Sequence, residues 1–189
     1  MRITDDRYTR DRQRFDLALR MIHHEARTCT IRTWTGLTDD RIRKLYRSYV
    51  ADHGPTIKRH RGKSPSHPGY FLKNLETRRH AAALAGLYSI LGLLQKAIAE
   101  RSGSGAQATL HWAEKFCSTY ETYRQLNQPH RISFEHAYYL LHALQVRIEL
   151  RPGACPVCNA FTVVDTLRTH GGTCALCERE SREPHRDPS

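Results

Sequence analysis

Residues 155–177 read CPVCNAFTVVDTLRTHGGTCALC, two Cys-x-x-Cys pairs separated by fifteen residues. Two residues between cysteines let one tight turn aim both sulfurs at a single point, and two such turns complete a tetrahedral zinc site with sulfur at about 2.3 Å. Cys155, Cys158, Cys174 and Cys177 are therefore the expected ligands of one zinc ion per chain. Phe161, Val163 and Val164 suit a short strand, and Gly171-Gly172 a turn that returns the second pair, so residues 151–178 are expected to form a small zinc ribbon-like module. A segment this short cannot fold on apolar burial alone. A structural zinc ion would add on the order of 10 to 16 kcal/mol of apparent binding free energy. A redox pair in each Cys-x-x-Cys, or four ordinary core cysteines, are the other readings of the pattern. Catalytic zinc needs an open fourth position, which four cysteines fill; His170 is the alternative to one of those ligands.

Upstream of this module the periodicity is helical. Phe15, Ala18, Leu19, Ile22 and Ala26 share one face of a predicted helix over 15–26. A short helix over Thr30 to Thr35 follows, then a turn at Gly36-Leu37 and an N-cap at Thr38. The next helix carries Ile42, Leu45, Tyr46 and Tyr49 on its apolar side, leaving Arg43, Lys44 and Arg47 facing outward with Arg41 at the edge. Residues 15–49 thus have the outline of a helix-turn-helix with a basic second helix. Residues 53–69, with three prolines and three glycines among Lys58, Arg59, Arg61 and Lys63, read as an irregular basic loop.

A long helix is expected from Tyr70 to Glu100, with Leu84, Leu87, Tyr88, Leu91, Leu94 and Ile98 as its stripe. Ser102 to Gly105 reads as a break. It precedes a helix bearing Leu110, Ala113, Phe116, Cys117 and Tyr120 on one face. Ser133 can cap a last helix with Phe134, Ala137, Tyr138, Leu141, Leu144 and Ile148 on its stripe, and Pro152-Gly153 should end the helical body. The expected fold is mainly α, a helical domain over 1–150, the zinc module at 151–178 and a flexible tail at 179–189.

Among 189 residues, 30 Lys and Arg oppose 19 Asp and Glu, giving a net charge of +11 and a pI near 9.7. That excess favours a polyanionic partner, with double-stranded DNA first. The contacts expected are Arg41, Arg43, Lys44 and Arg47 on the helix and Lys58, Arg59, Arg61 and Lys63 in the loop. The chain has no apolar run long enough to span a bilayer, no lipidation motif and no secretory h-region, so a reducing cytoplasm is the expected compartment and a membrane is not an expected partner. No phosphate-binding glycine loop, nucleophile elbow, HExxH or paired catalytic carboxylates stand in it, which argues against an enzyme.

Ala26-Arg27, Leu37-Thr38, Arg41-Ile42, Leu45-Tyr46, Gly62, Pro65, Phe71, His80-Ala81 and the four cysteines together resemble the flagellar transcriptional regulator FlhC family, over about residues 14 to 177. Glu25 stands where that family usually has Gly. The resemblance implies a zinc-containing helical subunit that joins an FlhD-like partner in a heterohexamer, binds promoter DNA, works with RNA polymerase in the bacterial nucleoid and activates flagellar and motility genes. Relatives on mobile elements look like activators of transfer genes instead. An interaction subunit whose basic face docks on an acidic partner while another chain contacts DNA fits the same residues, and an RNA-binding zinc module or a metal-dependent hydrolase fits them less well.

Overall fold

The structure, a computed structural model, describes residues 2–53, 57–60, 62–95, 106–167 and 172–182. Seven α-helices are found among them: α1 Arg2–His23, α2 Thr28–Thr35, α3 Asp39–His53, α4 Leu75–Ile90, α5 Ala106–Leu126, α6 Phe134–Val146 and α7 Ala175–Arg182. A 3₁₀ turn at Pro68–Leu72 precedes α4, and strands β1 Leu150–Ala154 and β2 Phe161–Asp165 lie between α6 and α7. The chain divides into two compact units, residues 1–65 with 98–118, and residues 66–97 with 119–189.

In the first unit, α1 begins thirteen residues before the predicted start at 15, because its polar first half is helical too, with Arg14 3.4 Å from Asp11 and Arg12 3.8 Å from Asp16. Its buried face is Leu17, Ala18, Met21 and Ile22, while Phe15 and Leu19 are only half-buried. The face is rotated from the predicted one because α2 and α3, which both pack on α1, decide which flank is covered. Gly36 takes the left-handed conformation that ends α2, φ 67°, and its amide reaches back to the Arg32 carbonyl. Leu37 is buried, and at the start of α3 the Thr38 carbonyl accepts the Ile42 N–H at 3.0 Å and its hydroxyl the Arg41 N–H at 3.5 Å. Ile31, Trp34 and Ile42 are buried, as is Phe116 on α5, whose ring lies parallel to Trp34 at 6.3 Å.

In the second unit, the helix predicted over 70–100 is shorter. Asn74 interrupts it by accepting the Thr77 N–H at 2.8 Å, which makes it the N-cap of α4. At the other end Gly92, φ 69°, turns the chain out of the helix, leaving Leu91 partly exposed and Leu93 buried. The expected break at 102–105, and Ile98, lie outside the described residues. The predicted stripe on α5 is buried, Leu110, Ala113, Phe116 and Cys117 belonging to the first unit and Tyr120 to the second. Ser133 caps α6 by accepting the His136 N–H, and Tyr88 on α4 donates to the Ala137 carbonyl at 2.9 Å.

Ile148 is not on the α6 stripe: Arg147, φ 56°, ends the helix and Ile148 is 72% exposed. Pro152 and Gly153 do not terminate a helical body but sit inside β1, which pairs antiparallel with β2 from Leu150 opposite Asp165 to Ala154 opposite Phe161. Val163 and Val164 of β2 are buried and β2 packs on α4. The hairpin and α7 fall in the same compact unit as α4 and α6.

Candidate functional site

β1 delivers the chain to Cys155, and the turn that follows is closed by two hydrogen bonds: Asn159 N–H to the Cys155 carbonyl and Cys155 N–H to the Ala160 carbonyl, each 2.9 Å. Asn159 supplies the left-handed backbone, φ 57°, that this knuckle requires. Cys158 leaves the knuckle exposed, whereas Cys155 is buried. The second pair was expected on another ribbon turn but lies at the start of a helix: Cys174 immediately precedes α7, its carbonyl accepting the Glu178 N–H at 3.0 Å, and Cys177 lies in the first turn. Residues 179–182, expected in the tail, continue that helix, while 183–189 lie outside the described residues.

The four sulfurs all lie within 4.8 Å of one another, with Cys158 and Cys174 at 3.6 Å. Tetrahedral thiolates at about 2.3 Å from a metal stand roughly 3.8 Å apart, so the quartet has the size of a single-ion site and can hold one metal ion. An all-sulfur tetrahedral set selects thiophilic metals over magnesium or calcium. Backbone amides already favour negative charge there. The N–H of Cys174, 3.2 Å from the Cys155 sulfur, and that of Cys158 draw the Cys155 thiol down to about 6 from 9.0. Cys177 is pushed upward, first by the Cys158 and Cys174 sulfurs it donates to, because adjacent sulfurs cannot all carry charge without a cation.

Arg78 on α4 fastens the second pair. It donates to the Thr173 carbonyl, just before Cys174, and to the Glu178 carboxylate, just after Cys177. Arg182 donates to the other Glu178 oxygen at 2.6 Å. The Glu178 carboxyl is held below its usual range mainly by the Arg78 hydrogen bond. Sequence reading missed both residues. Glu178 adjoins a predicted ligand, but Arg78 is a hundred residues away and carries no local signal.

All four predicted basic positions of α3 are exposed. Arg43 pairs with Asp40 at 2.8 Å, and the Arg41 guanidinium lies 6.0 Å from the Phe15 ring centre. Lys58, Arg59 and Lys63 are exposed in the loop, while Arg61 and His170 lie outside the described residues. The loop is brought against α3: the Tyr46 hydroxyl donates to the Ile57 carbonyl at 2.7 Å and Arg59 lies over the Tyr46 ring at 5.7 Å. Residues 1–65 and 98–118 contain 18 Lys and Arg against 10 Asp and Glu, +8 of the net +11.

No described helix is long and apolar enough to cross a membrane. A scan against models of known protein families finds no match, and a search of curated proteins finds none.

Proposed function

We propose that this chain is a zinc-containing, DNA-binding transcriptional activator that acts in a hetero-oligomer with an FlhD-like subunit on flagellar or motility promoters. The observation that carries the DNA-binding reading is the concentration of +8 in the unit that holds α3 and the basic loop, with α3 entered through the three-residue turn Gly36 to Thr38. A helix so introduced, exposing Arg41, Arg43, Lys44 and Arg47, suits the major groove in the manner of a helix-turn-helix recognition helix. The Arg43 to Asp40 pair is exposed on both sides, and pairs of that kind exchange for phosphate contacts at little cost. Zinc is the metal that best suits four thiolates at these separations, and it would hold the hairpin to α7 without taking part in chemistry. The assignment to the activator class rests on the family resemblance of the residues named above.

The test is fluorescence anisotropy of a labelled promoter duplex, titrated with the chain alone and with its partner across a range of salt. Engagement of about six phosphates gives a log affinity against log salt slope near −5. A flat salt response contradicts duplex binding. Substituting Arg43 and Arg47 together by Glu should abolish duplex binding while leaving assembly with the partner intact. Unchanged binding would move DNA contact to another chain.

A further inference from the structure

Glu25 occupies a position that physical chemistry disfavours on three counts. Its φ is +60°, a backbone conformation that side-chain-bearing residues rarely adopt. It stands two residues beyond the end of α1, where Glu25 N–H reaches the Ile22 carbonyl at 2.9 Å and Ala26 N–H the Met21 carbonyl at 3.0 Å, the hydrogen-bond pair of a helix end that favours glycine. Its negative charge also lies at the negative end of a helix dipole. The other non-glycine residues with positive φ among the described residues, Arg147 and Asn159, carry no carboxylate to set against a dipole.

What Glu25 gains is the basic loop. One carboxylate oxygen accepts the Lys58 backbone N–H at 3.3 Å, and the other lies 2.8 Å from His60 Nε2. Neighbouring contacts run the same way. Arg27 donates to the Gly62 carbonyl at 2.7 Å, Arg59 reaches the Thr28 hydroxyl at 3.5 Å, and the Cys29 sulfur meets the Ser64 hydroxyl at 3.5 Å. Residues 57–60 and 62–64 are thus strapped over the corner between α1 and α2, with Glu25 at their leading end.

We propose that Glu25 is a positioning residue for the nucleic-acid surface: it fixes the start of the basic loop so that Lys58, Arg59 and Lys63 meet phosphates together with the α3 cations. This rests on the duplex-binding reading above. It makes an unusual sign prediction, because removing a negative charge from a DNA-binding face ordinarily strengthens binding.

Glu25→Gly and Glu25→Gln, made in the full chain, test it. For Glu25→Gly the expected results are an unfolding midpoint equal to or above the parent, at least tenfold faster amide exchange over residues 57–60, and duplex affinity lower by roughly fivefold despite the loss of a negative charge. Glu25→Gln, which keeps an acceptor for the Lys58 amide, should fall between the two. Affinity that is unchanged or higher in Glu25→Gly overturns the proposal, whether or not the loop amides exchange faster. A parent protein that binds no duplex defeats the duplex reading itself, a failure seen in the parent rather than in the variants.

Discussion

Arg78 and Glu178, a hundred residues apart, form the ion pair that ties α4 to the helix carrying the second cysteine pair. Both side chains are at least three-quarters covered, at 19% and 25% exposure, so the pair is better shielded than an ordinary surface bridge. Arg78→Ala removes the donors to Glu178 and to the Thr173 carbonyl together. The expected loss is about 2 kcal/mol of stability, with metal transferred to a competing chelator several-fold faster than from the parent. Arg78→Lys should restore only part of both, since an ammonium lacks the planar fork. Parent-like metal transfer from Arg78→Ala would show that the cysteines hold α7 unaided.

Metal removal should act locally. The hairpin and α7 are small and carry the four cysteines that can hold one cation, whereas α1, α2 and α3 belong to the other unit. Chelation at neutral pH is expected to unfold residues 150–182 and uncover the α4 surface on which β2 packs, leaving α1 to α3 folded. Hydrogen exchange, before and after chelation, reads this directly: exchange that accelerates equally across α1 to α3 would contradict a local role.

His80 makes stability depend on pH. It is fully buried on α4, its Nδ1 2.9 Å from the Tyr123 hydroxyl and its Nε2 3.3 Å from Arg79. Arg79 can only donate, so Nε2 accepts and the neutral ring carries its proton on Nδ1. Burial first, and the Arg79 charge second, lower its pKa from 6.5. The unfolded chain then takes up the proton more readily than the folded one. This contribution is whole above about pH 6.5 and lost as pH falls through the depressed folded value. His80→Gln should flatten the denaturant midpoint between about pH 7 and pH 5, with His130, also lowered by burial, supplying the remaining slope. An unaltered slope would place the titration elsewhere.

Ser133→Ala deletes the side-chain acceptor for the His136 amide at the start of α6. The expected cost is about 1 kcal/mol, read from the denaturant midpoint, with Ser133→Asp close to the parent. No loss in Ser133→Ala would mean that solvent satisfies that amide equally well.

The contrast between Ser133 and Asn74 shows what was legible in the sequence. Ser133 follows a proline-containing break, so its capping role could be read from neighbours, as could the Gly36 and Thr38 turn and the Cys-x-x-Cys spacing. All of these signals are local. Asn74 lies within a stretch whose apolar period continues on both sides, and periodicity does not register a cap that interrupts it. The rotation of the α1 face toward Leu17 and Met21, and the placement of Pro152-Gly153 in a strand, were set by what packs against them. Arg78 had no readable signal, and Glu25 stood out only as a departure from the usual Gly, because their partners are supplied by the folded chain, not by sequence neighbours.

Metal content of the purified chain bears most directly on the central claim. Native mass spectrometry together with elemental analysis should find one zinc per chain, lost when Cys155, Cys158, Cys174 and Cys177 are all changed to Ser, with residues 150–182 unfolding at the same time. A metal-free chain whose hairpin and α7 stay folded after all four sulfurs are removed would contradict the account.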